Sequence, residues 1–156
     1  MTEQKNNHLP LSFEPLFFGK GKGIAEIRMV FVQKLSDINA RDKEGYTMAM
    51  YATEYGDKDL IKYCNEHGAD FNIQSDDGWT PLMIAVLDDR EDIVSYLLDN
   101  VTNIDLKKRT VNDRDVFDLA LNSTDKIRGM LYSFLYDHHI NGLVAKKQKD
   151  VNVITK

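Results

Sequence analysis

Asp77-Gly78-Trp79-Thr80-Pro81-Leu82-Met83-Ile84-Ala85 is the stretch that decides how this chain is read. Thr80 followed by Pro81 marks a helix start: a threonine hydroxyl caps free backbone N–H groups, and proline at the first helical position forfeits no hydrogen bond. The stretch has an echo upstream, where Gly45-Tyr46-Thr47 matches Gly78-Trp79-Thr80 at a spacing of 78 − 45 = 33. The register then holds across two helical patterns, with Ala52 over Ala85, Leu60-Ile61 over Ile93-Val94 and Tyr63-Cys64 over Tyr96-Leu97. A fixed period of this size signals a stacked array of supersecondary units.

Working outward, each copy has a turn, a helix start, and a second helix closed by a glycine turn. Gly68 falls just past a helix end, where a left-handed backbone excludes most side chains. Ala52 and Ala85 sit where two helices approach closely, so a larger side chain would push the layers apart. At Asp42-Lys43-Glu44-Gly45-Tyr46-Thr47, Gly56 and His67-Gly68-Ala69-Asp70-Phe71-Asn72 the chain resembles the ankyrin repeat. Asp77 to Ala85 is similar to that family's opening Gly-x-Thr-Pro-Leu-His-x-Ala motif.

Upstream, Asp37-Ile38-Asn39-Ala40-Arg41 matches the end of a repeat, and Pro15-Leu16 and Gly19 stand where an opening Pro-Leu and a small residue belong. Downstream, Asp115-Val116-Phe117-Asp118-Leu119-Ala120 opens another copy displaced by two residues, since 120 − 85 = 35. An insertion near Lys107 to Asn112, lengthening one finger, accounts for the shift. The resemblance implies an all-α ankyrin-repeat solenoid of about four stacked helix pairs with β-hairpin-like fingers. Its domain spans 9–140, with repeats at about 9–41, 42–74, 75–107 and 108–140 and a C-terminal tail at 141–156. Terminal repeats are expected to be atypical, because one face of each lacks a neighbour. The motif's histidine is Met50, Met83 and Asp118 here, and Met48-Ala49 replaces Pro-Leu. The polar network tied to that histidine is therefore expected to be missing, and adaptable thioethers predict modest stability.

The chain has 156 residues, 42% of them hydrophobic, long enough for one domain with a core. Its net charge of −5 disfavours nucleic acid and anionic membrane and suits a basic partner. Its one cysteine, Cys64, can form no internal disulfide and lies on the apolar stripe with Leu60 and Ile61. The opening MTEQKNNHLPLSFEPLFF lacks the pattern of a secretory signal, and no run reaches the roughly 18 to 20 apolar residues of a membrane span, so a cytoplasmic site is expected.

Chemistry finds little to work with. Gly19-Lys20-Gly21-Lys22-Gly23 lacks the spacing of a phosphate loop. Asp88-Asp89-Arg90-Glu91-Asp92 has no regular ligand spacing, and acids at a helix start are explained by the helix dipole. His138 and His139 are adjacent and diverge on a helix, unlike a chelating i, i+4 pair. Lys146-Lys147-Gln148-Lys149 reads as a solvated helix end, followed by a strand or a disordered stretch at Val151 to Thr155. No catalytic residue, metal or organic cofactor is expected.

In the family, the resemblance implies, partners are held on a concave surface of finger tips and exposed first-helix positions. Position by position this designates Lys43, Glu44, Tyr46, Glu54 and Tyr55 in the second repeat. The third supplies Asp76, Asp77, Trp79, Leu87 and Asp88, and the fourth Arg114 and Asn122. Five acids against two bases give that face a formal charge of 2 − 5 = −3. Large side chains there, with Trp79 at the centre and outside the core, are candidate anchors. The leading expectation is a protein-binding module that masks or neutralises a partner and is monomeric when free. An immunity or antitoxin protein, a host-directed effector and a regulatory subunit fit the same features. An enzyme on a repeat scaffold would need convergent titratable groups that the residues do not supply.

Overall fold

The computed structural model describes residues 37–154, with side chains as far as His139. Of the first expected repeat only the end, Asp37 to Arg41, falls within it; Pro15, Leu16 and Gly19 lie outside the described residues. The described part holds three helix pairs: α1 (Met48–Tyr55) with α2 (Lys58–Glu66), α3 (Pro81–Leu87) with α4 (Glu91–Asn100), and α5 (Val116–Ala120) with α6 (Asp125–Ile154).

Each first helix starts as its residues dictate. The Thr47 hydroxyl accepts from the Met50 N–H at 3.4 Å, and the Thr80 hydroxyl from the Met83 N–H at 3.3 Å, with Pro81 opening α3. At α5 Asp115 takes over the cap: its carboxylate accepts from the N–H groups of Phe117 and Asp118, and Asp118 accepts in return from the Asp115 N–H. The aspartate that stands at the motif's histidine position thus completes a capping box.

The core runs continuously through the stack. Met48, Met50, Ile61, Cys64, Met83, Ile93, Val94, Leu97, Ile127 and Leu131 are all buried. Ala52 and Ala85 are 0% exposed and Ala120 2%, which places the three alanines where neighbouring first helices meet. Burial pushes the Cys64 thiol up to about 12, so it behaves as a small apolar group.

The fingers are tight, hairpin-like turns. Asp42, Ser75 and Thr110 each donate a backbone N–H to the carbonyl four residues on, at 2.9 Å. Successive fingers bond edge to edge, Asp76 N–H to Glu44 O at 2.9 Å and Val111 N–H to Asp77 O at 3.0 Å. Side chains repeat the theme: Arg41, Gln74 and Arg109 each donate to the carbonyl four residues later, and Arg41 and Gln74 also reach the backbone of the next finger. Behind the fingers, Asn39 Oδ1 accepts from Asp70 N–H and Asn72 Oδ1 from Asp105 N–H.

Two boundaries differ from the sequence-based expectation. The extra two residues do not lengthen a finger. The second-helix caps Asp57 and Arg90 are still 33 apart, but the left-handed residues Gly68 and Asn103 are separated by 103 − 68 = 35, as are the turn-forming aspartates Asp70 and Asp105. The insertion therefore lies at and just beyond the end of α4. The finger is locked on both sides by inter-repeat hydrogen bonds, whereas the exposed end of a second helix can grow. The second difference is at residue 140, where no boundary falls: α6 continues to Ile154, and Val151 to Ile154 are helical rather than a strand. Leu, Ala, Lys and Gln, which favour helix, follow Asn141-Gly142, and their propensity outweighs the roughly 1 kcal/mol cost of one internal glycine.

Gly68 and Gly78 both hold left-handed backbone, at φ 78° and 83°, but differ in surroundings. A Cβ on Gly68 meets nothing within 4 Å, whereas on Gly78 it would stand 2.7 Å from Arg109 O and Thr110 Cα of the next finger. Gly68→Ala should cost about 1 kcal/mol of conformational strain, and Gly78→Ala about 3 kcal/mol because overpacking against fixed backbone is added. Chemical denaturation of the two variants measures the difference, and equal losses would refute the edge-to-edge finger packing.

Candidate functional site

Placement of the expected surface residues follows from the helix and finger geometry. Lys43, Glu44, Asp76 and Asp77 are exposed at the first two described finger tips, and Glu54, Tyr55, Leu87 and Asp88 are exposed at the ends of α1 and α3. Leu87 is 53% exposed and Tyr55 36%. Arg114 and Asn122 are exposed on the third finger and just beyond α5, and their described interactions run through backbone groups.

Three of these acids, Glu54, Asp77 and Asp88, act together with Asp42 on Tyr46. Partial burial, then the charges of Glu54, Asp42, Asp77 and Asp88, raise the Tyr46 phenol above its ordinary value. Glu54 is exposed as a residue, yet partial burial of its carboxyl and the like charge of Asp88 hold it above the usual carboxylate range, against the opposing pull of Arg90. Two finger tips and two helix ends therefore converge on a half-buried aromatic ring.

Some residues that hold this face in shape were not singled out from sequence. Asp42 is buried at 8% exposure; its Oδ1 accepts from the N–H groups of Glu44 and Tyr46, and its Oδ2 from the Tyr51 hydroxyl. Burial, and then that bond, push the Tyr51 phenol well up, and its ring packs 5.1 Å from that of Tyr46. Arg90 lies across the end of α1, donating from Nη2 to Glu54 O at 2.5 Å and sitting 3.6 Å from Asp88 Oδ2. Gly56 makes room for it, since a Cβ there would stand 2.4 Å from Arg90 Nη1. The signal for Asp42 was its place at the head of the finger; nothing local in the sequence announces Arg90. Exposed Val111, at 67%, occupies the third finger tip where Asp76 stands one repeat earlier, and was likewise missed.

Trp79 departs from expectation. It is half-buried and packs against the hydrophobic core, and its backbone N–H donates to the Ser75 hydroxyl at 3.1 Å. The side chain follows a finger that the next repeat braces, so the ring lies along the core edge rather than clear of it. The exposed apolar groups beside the acids are Tyr55 and Leu87.

The described residues contain no helix long and apolar enough to cross a membrane. Residues 22–110 match the family model described as ankyrin repeats, in three copies. The chain is 28% identical over 107 residues to the ankyrin repeat and SAM domain-containing protein 6 of Rattus norvegicus, covering 65% of this chain and 12% of that protein. It is 29% identical over 100 residues to ankyrin repeat protein 14 of vaccinia virus, covering 64% and 37% respectively. It is 32% identical over 81 residues to the NF-kappa-B inhibitor cactus of Drosophila yakuba, covering 51% and 17%. The chain thus spans well under half the length of each of these relatives.

Two predictions follow from the placement. Trp79→Ala should lower stability by about 2 kcal/mol, as for a large half-buried side chain removed from a core edge, and thermal melting checks it. Glu54 has a folded pKa above its unfolded value, so stability falls as pH rises from the unfolded value through the folded one, and that penalty is absent well below about pH 4, where both states are protonated. Glu54→Gln should raise the melting temperature at neutral pH and lose that advantage below about pH 4.

Proposed function

Since the chain belongs to the ankyrin-repeat family, whose repeats serve protein–protein interaction, we propose that it binds another protein through the acidic concave face around Tyr46 and masks that partner's own contact surface. The observation that carries this reading is the convergence of Glu54, Asp77 and Asp88 on Tyr46, with Tyr55 and Leu87 exposed at the same helix ends. Aromatic and aliphatic anchors supply most of the energy at interfaces, while surrounding charges act chiefly on partner choice and association rate. Excess carboxylates select a partner with a basic surface. Masking is supported by the likeness to cactus, a protein named as an inhibitor. A module of this kind acts in the cytoplasm without any chemistry of its own, its repeats providing a rigid scaffold for a pre-formed surface.

Capture of the partner from the native source, followed by surface plasmon resonance on variants, tests the proposal. Tyr55→Ala combined with Leu87→Ala should weaken the complex at least about tenfold with little change in melting temperature, since both side chains are exposed. Glu54→Gln combined with Asp77→Asn should slow association at low salt and matter less once the Debye length falls to about 8 Å. Unchanged binding in both pairs would move the interface away from this face.

A further inference from the structure

On the concave face, exposed acids stand beside exposed apolar groups of the adjacent repeat. Equivalent positions of stacked first helices lie side by side, and 87 − 54 = 33 and 88 − 55 = 33 pair Glu54 with Leu87 and Tyr55 with Asp88. At the fingers the neighbours are joined directly, since the Val111 N–H donates to Asp77 O at 3.0 Å. All six residues are exposed, Val111 the most at 67%. Glu54, Asp77 and Asp88 all act on the half-buried Tyr46 phenol, and Glu54 acts on that of Tyr55 as well, so the three acid–apolar pairs belong to one surface.

Such pairs select a particular kind of side chain. A carboxylate alone accepts any cation, and an exposed leucine or valine alone accepts any apolar group. The two together favour a side chain that is apolar along its length and cationic at its end. Lysine and arginine have this form, laying methylene stems on apolar surface while the charged head reaches further. Arginine suits the face better, because a guanidinium is more weakly hydrated than an ammonium, stacks on aromatic rings and bonds a carboxylate through two N–H groups at once. The chain already seats one arginine here. Arg90 buries its Nε, donates from Nη2 to Glu54 O at 2.5 Å and stands 3.6 Å from Asp88 Oδ2. One guanidinium against Glu54, Asp77 and Asp88 leaves a formal charge of 1 − 3 = −2, which calls for further cations.

We propose that the partner presents a run of arginines to this face, with their stems on Leu87, Tyr55 and Val111 and their guanidinium groups on the carboxylates beside them. This rests on the concave face as the binding surface; it adds the side chains which that surface takes, and it extends the surface to Val111 on the third finger. The probes are acetyl-hexaarginine amide and an analogue of equal charge that carries each guanidinium on a single methylene. Calorimetric titration of the wild type should show hexaarginine binding at least about tenfold more tightly than the analogue, because the longer stems bury more apolar area. That ratio should persist from low salt to physiological ionic strength, since stem burial is not screened. Leu87→Ser combined with Val111→Ser, both at exposed positions, should cut the ratio to about threefold or less. Asp77→Asn combined with Asp88→Asn should flatten the salt dependence of hexaarginine binding and leave the ratio in place. Amide shifts of the wild-type protein on adding hexaarginine require no variant to fold, and they should centre on residues 54–55, 77, 87–88 and 111. Equal affinity for the two peptides, a ratio unchanged in Leu87→Ser, Val111→Ser, a salt dependence unchanged in Asp77→Asn, Asp88→Asn, or shifts centred elsewhere would each overturn the proposal, while the concave face would still stand on its captured partner. A captured partner that ignores Tyr55→Ala, Leu87→Ala would remove the concave face and this proposal together.

Discussion

Close contact between successive first helices at Ala52, Ala85 and Ala120 is the constraint from which the rest of the molecule follows. None of the helix pairs can bury its own apolar face, and the helices are short, between 5 and 10 residues apart from the last. Isolated helices of that length are marginal in water, so they persist because each is pressed between neighbours. With a methyl group at the contact, the layers sit close enough for the fingers to reach one another. The backbone bonds from Asp76 to Glu44 and from Val111 to Asp77 depend on that spacing.

The same spacing creates the acidic face. Fingers that bond edge to edge bring Asp77 towards Tyr46, and first helices stacked in register bring Asp88 towards Glu54. Like charges are held near one another by a backbone that has no freedom to separate them. Arg90 offsets part of the repulsion, and it is present because Gly56 leaves space for a guanidinium over the end of α1. A surface assembled from several repeats in this way is preset before a partner arrives, which reduces the ordering cost of binding.

The two ends of a solenoid pose a different problem from its middle. The last described repeat is polar at Arg128, where Ile61 and Val94 are buried in the preceding copies, and the guanidinium closes the end of α5 by taking up its free carbonyls. The cap is incomplete, because apolar residues survive around it.

The sequence by itself determined the period, the helix starts at Thr47 and Thr80, the glycine turns and the buried alanines, because each is enforced within a few residues by hydrogen bonding or by backbone sterics. It also marked the exposed acids, since their positions within one repeat settle which way they point. Only the tertiary structure decided the rest. Two extra residues between Arg90 and Thr110 fit a helix end or a finger equally well until the inter-finger bonds show that the finger cannot stretch. Whether Trp79 lies in or out depends on a neighbouring repeat that brings its core edge up to the ring. The extent of α6 past residue 140 reflects propensity no longer limited by repeat length, and the exposure of Tyr132 reflects the lack of a following layer within the described residues. Local rules end where a side chain's surroundings come from another repeat.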